Sequence, residues 1–564
     1  MKLHTSTPSD AWLTTLIWCA LVSVAVILRP LLPIDETRYV TVAWEMYLSG
    51  DYWVPTKNGE IYSHKPPFFF WLMNLGWKIF GVSENWARLV APLFGLASVL
   101  STVKLAGALW PDVLGNVRRA RGWAAALIVM TGLYWTVFAS MTMFDTMVTF
   151  AAVLAVLGYV MAWQGLAAGR GYWKGILIAG VGLGIGGLAK GPAILVHTLP
   201  LALLAPLWGP MLSYKATGPA WGKWYGGVFI SIFIGAGITL AWAIPAAIIG
   251  GEEYRDAIFI KQSADRMVKS FAHQRPVYWF LWILPLMLLP WTLWPRLWKA
   301  LGFRKAWNNR TGLRSAWNDG SARVLLIWAG ASFVIFSAIS GKQPHYLLPI
   351  FPALALLAAY LLIRVEPAAP TPNRHRVPVL FLAGLAFVLM AALLSYDWIE
   401  PYLSKPLPVW VDAAEPLWLL VGFFCAIAIS NIGVRNTLHE VRLIAVAVTA
   451  LMVSLHFTAA PAFDIAFNLQ PAAKRIKAWQ DEGRPVLYVG KYHGEFQFLG
   501  RLIQPLDNFN EMRDVPAWSA EHPTGVVLAT RSPKEITQYP DPVLTLPKRA
   551  KILVVWDAKD FVQP

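Results

Sequence analysis

The chain has 564 residues, of which 57% are hydrophobic and 14% are charged, and its mean hydropathy is +0.49. Soluble domains carry charge on about a quarter of their residues, so this composition excludes a soluble globular protein and indicates a membrane protein. The net charge of +16 does not indicate nucleic-acid binding, because the basic residues lie between apolar runs instead of forming one stripe. Cys19 and Cys425 both lie in apolar runs, so neither a disulfide framework nor a zinc knuckle is predicted.

Apolar runs predict about thirteen membrane-spanning helices, since a spanning helix needs about 20 mostly apolar residues. The predicted spans are 12–32, 86–109, 122–141, 146–165, 175–189, 192–210, 225–250, 278–295, 324–340, 346–363, 378–396, 416–433 and 443–461. The first run is too long for a signal-peptide core, so it is predicted to be an uncleaved helix. The dense glycines of residues 180–187 predict close helix packing.

The loops between these runs alternate in character. One set is basic and nearly free of acids, and by the positive-inside bias it is predicted to be cytoplasmic together with the N-terminus. It contains Arg118, Arg119, Arg121, Arg170, Lys174, Lys215, Lys223, the run 296–323, Arg364, Arg374, Arg376, Arg435 and Arg442. The opposite set includes two long loops of mixed charge, 33–85 and 251–277, where binding and catalysis are expected.

The character of the chain changes after Phe463. Residues 474–479 predict a short amphipathic helix, and residues 485–489, 525–529 and 551–556 predict strands. The sequence therefore predicts a membrane domain at 1–462 and a small α/β domain at 463–564. An odd number of spans places this second domain on the outer, periplasmic side.

A linked set of polar residues follows the first span. Asp35, Glu36, Arg38 and Tyr39 come first, and by themselves two acids in a first helical turn equally fit a solvated helix start. Downstream lie Glu45-Met46, Ser49-Gly50-Asp51 and Lys65-Pro66-Pro67, in that order. This order and spacing resemble the first outer loop of the bacterial aminoarabinose lipid A transferases, members of the protein-mannosyltransferase-like GT-C superfamily.

The resemblance continues through most of residues 30–355. Asp145 stands where the family has a second Asp, and Lys190-Gly191-Pro192 matches the family's Lys-Gly-Pro turn. Further matches are Lys342 and Tyr346 before Leu348-Pro349, the outer segment with Phe259 and Arg266, and, more weakly, 492–496 and 498–501 in the tail. The resemblance implies an all-α polytopic GT-C fold and a transferase of the bacterial inner membrane. Its donor would be a polyprenyl-phosphate sugar and its acceptor a lipid A or lipopolysaccharide glycolipid, with inversion at the anomeric carbon.

Two positions depart from the family pattern. His64 stands where the aminoarabinose enzymes have Glu before Lys-Pro-Pro, and Ser263 stands where they have His. Those two family residues have been taken as zinc ligands, and this chain replaces both of them. No metal ligand is therefore predicted, and no cofactor is certain. A divalent metal held by His64 with Asp35 or Asp145 is an alternative that nothing else in the sequence supports.

The chemistry of such a transfer suggests roles for the matched cations. Charge builds on the lipid phosphate as the glycosidic bond breaks, and fixed cations there lower the barrier. Lys65, Arg266 and Lys342 are predicted to bind this phosphate. The alternative for each is a basic side chain that reaches the lipid headgroups.

Acids are needed near the anomeric carbon and the acceptor hydroxyl, because the transition state resembles an oxocarbenium ion. Asp35 is the first candidate and Asp145 the second, although Asp145 also fits a helix N-cap. The remaining matched residues are expected to bind substrate or shape the site, and Lys190 also fits a helix-end charge. They are Glu36, Arg38, Tyr39, His64, Lys190 and Tyr346.

Two alternatives stay open at the level of function. The same chemistry could act on another glycan, a membrane lipid or a protein hydroxyl. The chain could instead transport a lipid-linked sugar, but a transporter should carry charges near the bilayer midplane and repeated halves, and the sequence has neither.

Overall fold

The structure of the protein is a computed structural model that describes residues 9–111, 113, 115–212, 220–259, 274–302, 312–364, 375–399, 402 and 408–562. The described residues are mostly helical, and long apolar helices dominate as far as residue 467. This confirms the predicted all-α polytopic fold class. The described residues contain two sheets. One is a two-stranded hairpin near residue 60, and the other is a mixed five-stranded sheet that follows these helices.

The helices and strands before residue 468 are as follows. They are α1 Ser9–Leu28, α2 Asp35–Ser49, β1 Thr56–Lys57, β2 Glu60–Ile61, α3 Phe68–Phe80, α4 Glu84–Leu109, α5 Gly115–Met130, α6 Leu133–Phe138, α7 Asp145–Ala168, α8 Tyr172–Lys190, α9 Ala193–Leu203, α10 Ala205–Leu212, α11 Trp221–Ile249, α12 Gly251–Asp256, α13 Trp279–Met287, α14 Pro295–Leu301, α15 Leu313–Trp317, α16 Gly320–Ala338, α17 Phe351–Arg364, α18 Arg376–Leu394, α19 Tyr396–Ile399, α20 Leu419–Ser430 and α21 Thr437–Phe467. A 3-10 helix, Pro344–Ile350, leads into α17.

Nine helices in the described ranges are long and apolar enough to cross a membrane, and the bent pair α9–α10 makes a tenth. The other three predicted spans, 122–141, 278–295 and 416–433, coincide with the shorter helices α5, α13 and α20. Each predicted span therefore corresponds to a helix. The number of thirteen crossings stays a prediction.

Helices α7 and α8 pack antiparallel at very short distance because glycine lines their contact. A Cβ on Gly158 would lie 2.4 Å from the backbone nitrogen of Ala179, and a Cβ on Gly182 would lie 2.7 Å from that of Ala155. Small residues let helix backbones approach in this way. The glycine-rich run therefore packs helices, as predicted, and it brings the end of α8 beside the start of α7.

The C-terminal segment has three layers, in which helices cover both faces of a five-stranded sheet of order β4-β3-β5-β7-β6. Its elements are α22 Gln470–Asp481, β3 Val486–Val489, α23 Gln497–Gly500, β4 Asp507–Phe509, α24 Val515–Glu521, β5 Val526–Arg531, α25 Pro533–Ile536, β6 Leu544–Lys548 and β7 Lys551–Asp557. Strand β3 pairs parallel with β4 and β5, whereas β7 pairs antiparallel with β5 and β6. One core holds Ile476 and Trp479 of α22 and the other holds Trp518 of α24, so helices cover both faces of the sheet.

The C-terminal segment docks on the loop that follows α1, and Asn58 is the centre of the contact. The Asn58 amide nitrogen donates to the Leu506 carbonyl at 2.8 Å. Its amide oxygen accepts from Gln497 Nε2 at 2.6 Å and from the Leu506 backbone nitrogen at 2.9 Å. These three bonds join residues more than 430 positions apart in the sequence. The loop and the C-terminal segment therefore form one unit.

Aromatic packing and a second hydrogen bond extend this contact. The rings of Trp77 and Phe498 stack with centroids 5.2 Å apart and an interplanar angle of 7°. The Thr41 hydroxyl donates to the Gly494 carbonyl at 2.6 Å. Gly494 has φ +77°, and a Cβ there would lie 2.9 Å from the Thr41 side chain, so both the backbone angle and the close approach favour glycine.

This contact restricts the number of membrane crossings. Because the loop after α1 touches the C-terminal segment, both must lie on the same side of the membrane, and the total number of crossings must be odd. Nine or thirteen crossings satisfy this condition and ten do not. Helix α21, with 31 residues, spans about 46 Å, which exceeds the hydrocarbon thickness of about 30 Å, so it extends toward the docked segment.

Replacing Asn58 with glycine should loosen the docked segment without strain, because Asn58 has φ +56° and glycine accepts that angle. Loss of three hydrogen bonds worth about 1 kcal/mol each should lower stability by about 2–3 kcal/mol. Hydrogen exchange of the backbone amides around Leu506 should accelerate correspondingly. Asn431→Ala, which removes one amide bond to Ile427 elsewhere, serves as the control, and equal exchange in Asn58→Gly and wild type would contradict the docking role.

Candidate active site

Asp145, Lys190 and Tyr346 meet at one end of the helical bundle. Asp145 is the first residue of α7 and Lys190 the last of α8, and their side chains form an ion pair of 2.7 Å. The Asp145 side chain is only 5% exposed. The Lys190 ammonium also lies 4.9 Å from the centroid of the Tyr346 ring. Close packing of α7 on α8 thus positions a carboxylate that three elements surround.

Further positive charge surrounds Asp145. Lys65 and His345 are both close enough to stabilise its negative charge electrostatically. The Lys65 ammonium lies 5.8 Å from the ring centroid of Phe144, the residue before Asp145. The His345 ring stacks on Phe138 with centroids 5.0 Å apart. The carboxylate is therefore outnumbered by basic groups, and such a place favours a further anion.

The adjacent acids Asp35 and Glu36 have different surroundings. Successive helical residues point about 100° apart, so one acid faces inward and the other outward. Glu36 is 1% exposed, whereas the Asp35 side chain is 51% exposed and pairs at 3.4 Å with Arg38 one turn later. Asp35 is thus the accessible acid of the pair.

Glu36 holds the start of α2 in place. Its carboxylate forms a two-pronged contact with Arg29, at the end of α1, and accepts from the backbone nitrogens of Leu32 at 2.8 Å and Thr142 at 2.6 Å. Burial raises the pKa of the Glu36 carboxyl, but the Arg29 guanidinium outweighs this effect, and the pKa lies below its ordinary value of 4.5. Glu36 is therefore ionised at neutral pH, and from its buried position it fixes the start of α2.

Tyr39 lies near enough to both aspartates to feel their charges. It is 4% exposed, its ring meets Phe144 edge-on at 4.9 Å, and its hydroxyl is close enough to both Asp35 and Asp145 to be influenced by their charges. Burial, together with nearby Tyr62 and Asp35, raises the pKa of the Tyr39 phenol well above 10. Tyr39 therefore stays protonated and can donate a hydrogen bond.

The remaining predicted residues are placed as follows. Lys342 is 2% exposed, and its ammonium donates to the carbonyls of Arg275, at 2.9 Å, and Ile339. Lys342 thus holds together the C-terminal end of α16 and the segment that precedes α13. His64 is exposed and its ring lies 5.4 Å from that of Tyr62. Arg266 lies outside the described residues.

The described part of the chain contains no group of three or more His, Cys, Asp or Glu side chains able to hold a metal ion. Sequence reasoning missed His345 and Arg29. A histidine between the matched Lys342 and Tyr346 was an available signal for the first. The sequence showed Arg29 only as a charge at the end of an apolar run. Its partner Glu36 could not be predicted, because the fold brings the two side chains together.

Glu36→Gln should destabilise the protein severely. The substitution leaves the Arg29 guanidinium buried without its counter-charge, and breaking a buried pair in this way costs about 3–5 kcal/mol. Asp35→Asn changes the neighbouring, exposed acid and should alter stability by no more than about 0.5 kcal/mol. Thermal unfolding of the purified proteins in one detergent at pH 7 compares the two, and equal midpoints would contradict the structural role of Glu36.

Low pH should destabilise the protein through the Glu36 carboxyl. A carboxyl whose folded pKa lies below its ordinary 4.5 contributes stability above that pH, and the contribution is lost as the pH falls through the folded pKa. The wild-type unfolding midpoint should therefore drop more steeply below pH 4.5 than that of Glu36→Gln. Parallel curves for the two proteins would exclude this contribution.

Comparison with known proteins agrees with these features. Residues 64–238 match the family model described as dolichyl-phosphate-mannose-protein mannosyltransferase. The chain is 28% identical over 369 residues to the undecaprenyl phosphate-alpha-4-amino-4-deoxy-L-arabinose arabinosyl transferase of Edwardsiella ictaluri, an alignment that covers 64% of this chain and 61% of that protein. It is 27% identical over 436 residues to the protein of the same name from Pseudomonas savastanoi pv. phaseolicola, covering 75% and 73% of the two chains.

The fold has a solved counterpart. The crystal structure of ArnT from Cupriavidus metallidurans bound to undecaprenyl phosphate superposes with a TM-score of 0.74 at 20% identity, and the match covers 99% of this chain and 100% of that one. The alignment with the Edwardsiella relative spans slightly less than two thirds of that relative's length. The chain is therefore similar in sequence to these transferases and has the fold of the ArnT crystal structure, which confirms the resemblance predicted from its motifs.

Proposed function

We propose that this chain is a glycosyltransferase that moves a sugar from a polyprenyl-phosphate donor to a lipid A or lipopolysaccharide glycolipid at the periplasmic face of a bacterial inner membrane. The observation that carries this proposal is the cluster of Asp145, Lys190, Lys65 and His345, with Asp35 beside it, at one end of the bundle. The relatives named as undecaprenyl phosphate-dependent transferases support it. So does the similar fold of ArnT bound to undecaprenyl phosphate.

Basic groups of the cluster would bind the donor phosphate. Departure of the polyprenyl phosphate leaves negative charge on its oxygens, and a fixed cation stabilises that charge more than it stabilises the intact donor. Lys65 lies beside Asp145 and is the first candidate. Lys342 would have to exchange a backbone carbonyl for a phosphate oxygen. Arg266 keeps this role as a prediction from the sequence.

Asp35 fits the acid that acts on the acceptor better than Asp145 does. The Asp145 carboxylate is buried against Lys190, whereas Asp35 is half exposed and can reach an incoming group. In a single displacement, the acceptor oxygen forms its bond to the anomeric carbon while the bond from that carbon to the phosphate oxygen breaks. The hydroxyl proton goes to Asp35, polyprenyl phosphate leaves, and the anomeric centre inverts. A phosphate acceptor needs no base, and Asp35 would then position it.

Other parts of the site would shape these groups. Glu36 fixes the start of α2 through Arg29, and Arg38 orients Asp35. Tyr39 offers a protonated hydroxyl that the charges of both aspartates influence. Lys190 and Tyr346 hold Asp145 from the other side. His64, which is exposed and lies near Tyr62, would contact the acceptor.

Orientation rests on the basic loops. The positive-inside bias assigns the N-terminus to the cytoplasm, so the loop after α1 faces the periplasm. The docked C-terminal segment must then be periplasmic too, because it bonds to that loop. The cluster around Asp145 lies on the same side, since Glu36 in α2 bonds to Thr142 just before α7.

The experiment that tests the proposal is a transfer assay with purified protein in detergent. Incubation with a polyprenyl-phosphate sugar and lipid A should release polyprenyl phosphate and add one sugar to lipid A, as measured by mass spectrometry. A transporter of lipid-linked sugar would leave the donor intact. Transfer to another glycan, lipid or protein hydroxyl, with none to lipid A, would keep the chemistry and reject the acceptor.

Asp35→Asn should reduce transfer by about 10²- to 10⁴-fold, the usual contribution of a general acid or base. Its unfolding midpoint should stay at the wild-type value because Asp35 is exposed. Glu60→Gln is the matched control, as it removes an exposed acid from strand β2 of the same loop. An active, normally folded Asp35→Asn protein would reject the assigned role.

Lys65→Met should lower kcat/KM for the donor by about 100-fold, since one contact to developing charge is worth about 3 kcal/mol. Lys78→Met is the control on the neighbouring helix α3, where the ammonium lies 4.5 Å from the Tyr52 ring centroid. Initial rates over a range of donor concentrations measure both variants. Equal losses in the two would mean that Lys65 contributes only surface charge.

A further inference from the structure

A second polar cleft, of about 290 Å³, lies between the C-terminal segment and the start of α4. It shares no lining residue with the cluster around Asp145. Its lining consists of Glu84, Gln470, Lys474, Leu499, Gly500 and Arg501. The cleft is therefore a separate cavity, and the proposed transfer reaction does not use it.

The cleft lies beside the ends of two candidate spans. Glu84 is the first residue of α4, which is one of the candidate spans, and Gln470 is the third residue after the end of α21, which is another. Lipid phosphates lie just outside the hydrocarbon, where spanning helices end. Ile503, two residues beyond Arg501, is 74% exposed and adds an apolar side chain near the cleft.

The cleft has an excess of positive charge. Lys474 is exposed and has neither a hydrogen bond nor an ion pair with another described residue. The Arg501 guanidinium donates one hydrogen bond to the Phe498 carbonyl and lies 3.8 Å from the Phe498 ring centroid and 5.6 Å from that of Trp44, and these contacts fix its position. The one acid of the lining, Glu84, pairs at 3.2 Å with Arg88 and is also close enough to Arg501 for the two charges to interact. An anion entering the cleft would therefore meet two cations and an acid that is already paired.

The backbone at Arg501 gives an independent indication that its side chain is used. Arg501 ends α23 with φ 54° and ψ 41°, in the left-handed region where glycine is the usual residue. An arginine there is less favourable for the backbone than glycine would be. A non-glycine residue held in this conformation points to a function of its side chain.

We propose that this cleft binds the phosphate group of an anionic phospholipid, with Arg501 and Lys474 contacting the phosphate oxygens. Arginine offers a planar fork to such oxygens, and lysine a point charge. The bound lipid would attach the C-terminal segment to the bilayer beside α4. This binding does not depend on the proposed transferase activity.

Lipid binding to the full purified chain in a neutral detergent tests the proposal. Native mass spectrometry and thermal unfolding are measured with phosphatidylglycerol, with phosphatidylcholine and with inorganic phosphate. Phosphatidylglycerol should bind and raise the unfolding midpoint. Lys474→Ala and Arg501→Gly should each weaken its binding about fivefold, the usual effect of one basic residue at an anionic lipid surface.

Two variants keep the result interpretable. Arg501→Gly removes the side chain at a backbone angle that glycine prefers, so it should fold. Lys477→Ala removes an equal charge from the same helix, where Lys477 pairs with Asp481, and it should bind phosphatidylglycerol as wild type does. Equal binding by Lys474→Ala and wild type, an equal loss in Lys477→Ala, or equal binding of phosphatidylcholine would overturn the proposal. Binding of inorganic phosphate with no preference for phosphatidylglycerol would overturn its lipid part.

Discussion

Each buried carboxylate among the described residues lies against a cation, and the rest of this structure depends on that constraint. A charge moved from water into a low-dielectric interior costs several kcal/mol unless a partner and hydrogen bonds compensate for it. Five acids are buried among the described residues, and each pairs with a lysine or arginine. The pairs are Asp10–Arg442, Glu36–Arg29, Asp145–Lys190, Glu440–Arg296 and Glu495–Lys548. Since the partners belong to different elements, these pairs fix how the elements pack.

The pair at Asp145 differs from the others in its surroundings. The Asp10–Arg442 and Glu440–Arg296 pairs join helix ends next to basic loops, where charge neutralisation explains them fully. Around Asp145, Lys65 and His345 add basic groups, and the accessible Asp35 lies nearby. More basic groups lie there than neutralisation of one carboxylate requires, and such an excess is a physical indication of a binding site. The same reasoning separates Glu36, which is fully compensated, from its neighbour Asp35.

The sequence predicts those features that are local. Each apolar run corresponds to a helix, the glycine-rich run indicated the close contact of α7 and α8, and the linked motif around Asp35 predicts the site loop. Features that depend on contacts distant in sequence could not be predicted. Nothing near Arg29 indicates Glu36 as its partner, and nothing near Asn58 indicates Leu506. Strands β4 and β6 were also missed, because β4 has only three residues and β6 is an edge strand that contains Pro547.

Helix α2 shows why the distant contacts matter for the chemistry. Its first turn carries Asp35, the acid proposed to act on the acceptor, while Glu36 ties the same turn to α1 through Arg29. Two turns later Thr41 bonds to the C-terminal segment, and Trp44 Nε1 donates to the Leu502 carbonyl at 2.9 Å. A catalytic group must be held within a fraction of an ångström of its working position. The position of Asp35 is therefore set jointly by a buried ion pair on one side of α2 and by the docked segment on the other. A change that loosens the docked segment should for this reason reach Asp35 without touching the site.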